Sequence, residues 1–287
     1  MTVQTTEFLY EPFAETAEYR AVNGTIVRAW IDSMVEKGSK EVGRLLDIAT
    51  GVGTMAQIFL ENLPKQWKQP TVLCLDQSQE ALQQAKASLE WQVENLELLL
   101  SRAEELKLPA NSVDVAIWGN GIHYLASEAQ EKALRAIKKV LKKGGWLCFN
   151  SAFYAESRPP ETLPFYRAQV KHAVEYLHTR GLGRDRSEAR PVASAFLPKV
   201  HYEDLLPKVG FKIEEVREVA MGVKKTAWEH ISSFQQYAAG ALHGYRADVA
   251  AEAMRESVLP ALEEHGSRDE HGNLSISRNW LAISARA

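Results

Sequence analysis

Apolar and polar positions fall into alternating blocks along the first half of the chain. Residues 43–48 read as a short buried strand, and residues 71–75 form a continuous apolar run suited to a central strand that ends at Asp76. Residues 96–100, 112–118 and 146–151 read as three more strands. Between them lie helical patterns. Residues 55–63 stop at Pro64, and residues 79–89 have Ser78 in the capping place. Residues 128–141 are amphipathic and run out in Lys142-Lys143-Gly144-Gly145, where lysine suits the helix C-terminus and glycine its stop. Strands that alternate with helices predict an α/β fold: a parallel sheet with helices on both faces.

The second half changes character. Residues 153–200 carry prolines, charges and broken helical patterns instead of a strand. A short helix over 202–209 and a strand over 211–219, opened by Gly210, follow. Residues 226–262 are helical in pattern, with Gly240 and Gly244 interrupting, and 265–272 read as a loop. Residues 274–285 close the chain as a strand centred on Trp280-Leu281-Ala282-Ile283. No internal repeat or low-complexity segment stands out.

The chemistry concentrates where strands end, because ligands of a doubly wound sheet bind beyond the carboxyl ends of its strands. The first strand runs into Asp47-Ile48-Ala49-Thr50-Gly51-Val52-Gly53-Thr54 and then a helix. Glycines let a ligand approach the backbone, and free N–H groups sit at the helix start. Asp47 would repel a pyrophosphate but would suit a ligand with a cationic head and no phosphate. Gly51-Val52-Gly53-Thr54-Met55-Ala56 also satisfies the dinucleotide pattern G-x-G-x-x-A. Asp76 lies 23 residues past Gly53, the spacing at which an acid accepts ribose hydroxyls. It would otherwise be a solvated turn aspartate capping the next helix.

With Asp47, Gly51 and Gly53 in place, this stretch resembles the first motif of class I S-adenosylmethionine-dependent methyltransferases, in particular the small-molecule enzymes of ubiquinone/menaquinone and natural-product biosynthesis. The resemblance implies a Rossmann-like, seven-stranded, mostly parallel sheet whose last strands form an antiparallel pair. It divides the chain into an N-terminal helical cover (1–40), a cofactor-binding core (41–152), a helical lid insertion (153–200), a core helix and strand (201–219), a second helical cover (220–270) and a closing strand (271–287). It also implies S-adenosyl-L-methionine as cofactor. Asp47, Ala49, Gly51 and Gly53 would line it at the first strand, and Asp76 and Gln77 at the second. The Ala103 N–H and the Glu104 carboxylate would read the adenine, unless Glu104 merely opens a helical turn. Val113 stands where the family often has Phe. Asn120 would meet the methionine end. The Asn/Asp-Pro-Pro-Tyr signature of amino-methyltransferases is absent there, which weighs against an amide or adenine acceptor. Tyr10, Phe13 and Tyr19 have near-helical spacing. Either Tyr19 closes over the cofactor, where an aromatic face would favour the sulfonium charge, or the three form a stripe packed on the sheet.

The implied reaction is an in-line displacement at the sulfonium methyl, in which the protein positions and desolvates the acceptor. His123, just past the fourth strand, is the leading candidate for a general base, and Tyr154, past the fifth, is the second. A histidine that simply opens the next helix is the alternative for His123. His172, His178 and His201 in the insertion are weaker candidates. Residues 167–201 are locally basic, which suits an acceptor bearing an acidic group or, equally, a solvated lid. Trp228, Phe234, Tyr237 and Leu242 suggest an apolar side to the second cover.

Composition narrows the field. The chain has 287 residues and a formal net charge of −3, so no global field recruits nucleic acid. No apolar run approaches the roughly 18 residues of a membrane span, and the first ten residues lack a signal-peptide pattern. Cys74 and Cys148, the two cysteines, fall in strands and read as buried free thiols of a cytoplasmic protein, with no metal site. The expected function is methyl transfer to a small, largely apolar organic acceptor, with oxygen, carbon and nitrogen acceptors and the oligomeric state left open. The rivals are an S-adenosylmethionine-binding enzyme of non-methylating chemistry, such as a cyclisation, and an NAD-dependent oxidoreductase. Asp47, the Ala103-Glu104 pair and the closing strands argue against the last.

Overall fold

The structure, a computed structural model, describes residues 11–184 and 196–287. The chain opens with helices α1 (Glu11–Ala14) and α2 (Ala17–Glu36). The alternating core follows: β1 (Arg44–Ile48), α3 (Thr54–Glu61), β2 (Thr71–Asp76), α4 (Gln79–Leu89), β3 (Leu96–Leu100), β4 (Val113–Gly119), α5 (Ser127–Val140) and β5 (Leu141–Ser151). After α6 (Leu163–Thr179) come α7 (Lys199–Val209) and β6 (Lys212–Lys224). Four helices, α8 (Lys225–Ser233), α9 (Gln235–Ala241), α10 (Ala247–Glu256) and α11 (Val258–His265), lead to β7 (Ser267–Arg268) and β8 (Leu274–Arg286).

Among the described residues the sheet order is β3-β2-β1-β4-β5-β8-β6, the seven strands expected, and the two-residue β7 pairs with β8 off that path. β1 to β5 pair in parallel, and β8 lies antiparallel to β5 from Trp146↔Arg286 to Ser151↔Leu281. The chain steps from β1 outward to β2 and β3, then returns to place β4 on the other side of β1. The gap beyond the carboxyl ends of β1 and β4 is therefore the topological switch point, where a sheet of this kind opens a crevice.

The chain divides into two compact units. The α/β unit comprises the described residues of Arg20–Arg158, Ala195–Met221 and Arg278–Ala287. Its core joins Leu46, Leu73, Trp118, Phe149 and Ile283 from the sheet to Ile137 of α5 and Leu206 of α7. Ser78 caps α4 by accepting from Ala81 N at 3.2 Å. The helical unit comprises the described residues of Met1–Tyr19, Pro159–Ser194 and Gly222–Ser277. Phe165, Tyr166 and Trp228 pack together there, with ring centroids 5.0–5.6 Å apart.

Several boundaries differ from the sequence pattern, each for a local reason. β5 starts at Leu141, directly after α5, because Leu141 pairs with Val113 across a register shift. Gly144 at φ 75 and Gly145, whose Cβ would meet Lys142 O at 2.9 Å and Asp114 O at 3.0 Å, carry the irregularity inside the strand. The helical run does not break at Gly240, which lies inside α9; it breaks at Phe234, in extended backbone, and around Gly244 at φ 89. The region expected as a loop over 265–272 contains β7. Residues 163–179, expected as a broken pattern, form one continuous helix with Pro164 in its first turn, where a missing N–H costs nothing.

Candidate cofactor site

The turn after β1 is built around one carboxylate. Asp47 is buried, 1% exposed, and its Oδ2 accepts from Thr50 Oγ1 at 2.7 Å and from Ala56 N, in the first turn of α3, at 3.2 Å. Its Oδ1 has no partner among the described residues. Burial raises the Asp47 carboxyl to about 7, with the neighbouring charge of Asp76 adding to the effect. Between Asp47 and α3 the backbone is left-handed at Ala49 (φ 51), Gly51 (φ 55) and Gly53 (φ 86). Ala49 is the informative one, since a non-glycine residue rarely holds that conformation and strained backbone clusters at functional sites. A Cβ on Gly53 would stand 2.9 Å from Leu89 Cδ1, so the turn presses against α4.

Asp76 ends β2 and is also buried. It accepts from Gly51 N at 3.0 Å through Oδ2 and from Ser78 N at 2.9 Å through Oδ1, tying the glycine turn to the start of α4. Burial holds its carboxyl above the usual range. Gln77 beside it is exposed. Past β3, Ala103 and Glu104 lie in a single 3-10 turn, Ala103–Glu105. Glu104 does open a helical turn, and its Oε1 is held by Arg102 at 2.6 Å.

Asn120 follows β4 with φ 46 and is 2% exposed. Its N–H donates to Asn150, its Oδ1 accepts from Ala152 N at 2.8 Å, and its Nδ2 has no partner among the described residues. Flanking it, a Cβ on Gly119 would reach within 2.3 Å of Met55 Cγ and one on Gly121 within 2.3 Å of Trp118 Nε1. Two strained non-glycine residues, Ala49 and Asn120, thus stand at the carboxyl ends of the two strands that form the switch point.

His123 is 6% exposed, its Nδ1 lies 3.0 Å from Ser151 Oγ, and its Nε2 has no partner among the described residues. Burial, reinforced by the Arg278 charge, pushes its imidazolium down to about 3. Such a ring is held neutral near pH 7. Tyr154 packs in the core cluster, its hydroxyl donates to Glu218 Oε1 at 2.6 Å, and burial with that carboxylate pushes its ionisation up. Tyr19 belongs to the helical unit, where it packs edge-on against Phe13 at 5.2 Å.

The histidines of the insertion are placed elsewhere: His172 pairs with Glu264 at 2.7 Å, His178 is exposed, and His201 meets Gln130 at 2.9 Å. Of the basic residues there, Lys171 pairs with Glu175 at 4.0 Å and Lys199 with Glu218 at 2.9 Å, while Arg180 stacks on Tyr176. Arg186 and Arg190, like Tyr10, lie outside the described residues. Thr50, Asn150 and Ser151 join the strand-end network although nothing in their sequence spacing marks them. Their position at the ends of β1 and β5 was the available signal.

Residues 45–145 match the family model described as a methyltransferase domain. This part of the chain is similar to methyltransferase domains, whose class I members use S-adenosylmethionine as cofactor. The ubiquinone/menaquinone biosynthesis C-methyltransferase UbiE of Sinorhizobium fredii is 32% identical over 150 residues, 51% of this chain and 56% of that protein. The chain thus spans little more than half the length of the curated relatives it matches. Among solved structures, a protein of Bacillus halodurans described as a candidate methyltransferase superposes with a TM-score of 0.55 at 17% identity, covering 89% of this chain and 96% of that one. The [4+2]-cyclase SpnF superposes with a TM-score of 0.53 at 16% identity, covering 95% and 84%. These likenesses show the fold. Among the described residues no helix is long and apolar enough to cross a membrane, and no cluster of His, Cys, Asp and Glu could hold a metal.

Proposed function

We propose that the whole protein transfers a methyl group from S-adenosylmethionine to a small, largely apolar organic acceptor. The observation that carries this is the pair of orphaned buried polar atoms at the switch point, Asp47 Oδ1 and Asn120 Nδ2. Buried polar groups find partners, and these two offer an acceptor for an ammonium and a donor for a carboxylate, the two ends of an amino acid. When bound, the cofactor supplies an electrophilic methyl on a cationic sulfur.

The chain's own residues bind and orient. Asp47, the Ala49, Gly51 and Gly53 turn and Asn120 would hold the methionine end. Asp76, with Gln77 beside it, keeps lone pairs for ribose hydroxyls after accepting two backbone N–H groups. Ala103 and Glu104 would face the adenine. The UbiE relatives favour an acceptor in quinone-type biosynthesis. The likeness to a cyclase keeps in play a reading in which the same cofactor site serves a cyclisation.

Calorimetric titration with S-adenosylmethionine and with NAD, on the wild-type protein and Asp76→Ala, tests the proposal. Micromolar binding of S-adenosylmethionine, weakened at least about tenfold by the substitution, a loss of about 1.4 kcal/mol, is the expected result. NAD binding in its place would reject the reading. Release of S-adenosylhomocysteine with an acceptor then separates methyl transfer from cyclisation.

A further inference from the structure

His123 sits at the end of the candidate site with no place in the cofactor reading, and its surroundings are unusually defined. The ring is flanked by two others, Tyr124 at 4.3 Å and Phe153 at 4.6 Å between centroids. Nδ1 is tied to Ser151 Oγ at 3.0 Å, and Ser151 is fully buried. Ring planes on two sides and a hydrogen bond at one nitrogen leave the other nitrogen, Nε2, with a fixed direction. That nitrogen is buried and has no partner among the described residues.

The hydrogen bonds decide which nitrogen carries the proton. Ser151 Oγ accepts from Phe153 N at 3.0 Å. If the hydroxyl proton is directed at Nδ1, both Ser151 and Nδ1 are satisfied and the ring hydrogen is on Nε2. In the opposite tautomer Nδ1–H donates to Ser151, the hydroxyl proton has no acceptor, and Nε2 is a bare lone pair. The first arrangement leaves one buried group unmatched and the second leaves two, so the first is favoured. The ring also resists protonation, because burial and the Arg278 charge both oppose a second positive charge there. What His123 offers is a neutral, immobile N–H.

We propose that His123, with its tautomer set by Ser151, donates a hydrogen bond from Nε2 to an oxygen of the methyl acceptor, which makes that acceptor an oxygen-bearing molecule such as an enol, phenol or carbonyl compound. Ser151 is then a positioning residue, acting through the imidazole without touching the acceptor. The inference rests on the methyltransferase reading and deepens it. It replaces proton removal at His123 by recognition of an oxygen.

The test is nitrogen-15 NMR of the full chain with labelled histidine, the His123 signals being assigned with His123→Asn. The free protein should show the Nε2–H tautomer, with no titration of His123 between about pH 5 and about pH 8. Ser151→Ala should populate the other tautomer and Ser151→Thr should restore the first. With the protein saturated in S-adenosylhomocysteine, millimolar phenol or acetylacetone should move the Nε2 signal and toluene should not. His123→Asn should weaken phenol binding at least about tenfold. An Nδ1–H tautomer, a titration near neutral pH, or an Nε2 signal unmoved by both oxygen-bearing probes overturns the inference. Calorimetry on the same samples separates the two failures. If S-adenosylhomocysteine does not bind, the methyltransferase reading falls and this inference with it. If it binds and Nε2 does not respond, only this inference falls.

Discussion

At the scale of single residues, the site is governed by carboxylates withdrawn from water. Asp47 accepts two hydrogen bonds, yet its carboxyl sits near 7, because desolvation outweighs both bonds. A folded-state value above the unfolded 3.8 means the folded protein holds the proton more tightly. Asp47 therefore contributes stability that is fully present below about pH 4 and lost as pH rises through about 7. At about 1.4 kcal/mol per pH unit of separation, the contribution is a few kcal/mol. Denaturant midpoints of the ligand-free protein should accordingly fall less in Asp47→Asn than in the wild type between pH 4.5 and pH 7.5; equal slopes would refute the assignment. The ligand should reverse the preference. A cationic amino acid head binds the ionised carboxylate, so S-adenosylmethionine affinity should drop as pH falls below about 7 in the wild type and stay level in Asp47→Asn, as read by calorimetry at several pH values. Asp47 and Asp76 were legible in the sequence because each ends an apolar strand. The left-handed backbone of Ala49 was not, since alanine does not announce it.

At the scale of elements, the glycine turn is a packing device as well as a ligand loop. Gly53 combines a φ of 86 with a Cβ position 2.9 Å from Leu89 of α4. Gly53→Ala should cost about 1–3 kcal/mol from strain and overpacking together, read as a lowered thermal midpoint. It should also weaken cofactor binding, because the turn carries the N–H of Gly51 that Asp76 holds. An alanine variant of wild-type stability would show that α4 yields easily. Most helices and strands of the core were readable from periodicity and capping, and α4 was legible to the residue through Ser78. The α5–β5 junction was not. Its lysines and glycines read as a helix stop, but Leu141 already pairs with Val113, and the glycines serve an irregular strand.

At the scale of the whole molecule, the closing strand completes the sheet from far away in sequence. β8 lies between β5 and β6, and Ile283 of β8 pairs with Phe149 and is fully buried. Ile283→Ala should destabilise the protein by about 2–5 kcal/mol, measured by chemical denaturation. A loss below about 1 kcal/mol would mean that β8 is not part of the cooperative core. By itself the sequence determined most of the strands and helices, a parallel core in the first half, and the gathering of acids and glycines at strand ends. These follow from burial periodicity and backbone sterics, which are local, whereas the antiparallel closure was implied only by the family resemblance. Tertiary structure alone decided the rest. It put Ser151 of β5 beside His123 beyond β4, and it buried that ring near Arg278, which together hold the imidazole neutral. It joined the Tyr154 phenol to Glu218, 64 residues away in sequence. Whether a titratable group is charged depends on what surrounds it, and those neighbours come together only when distant strands pair.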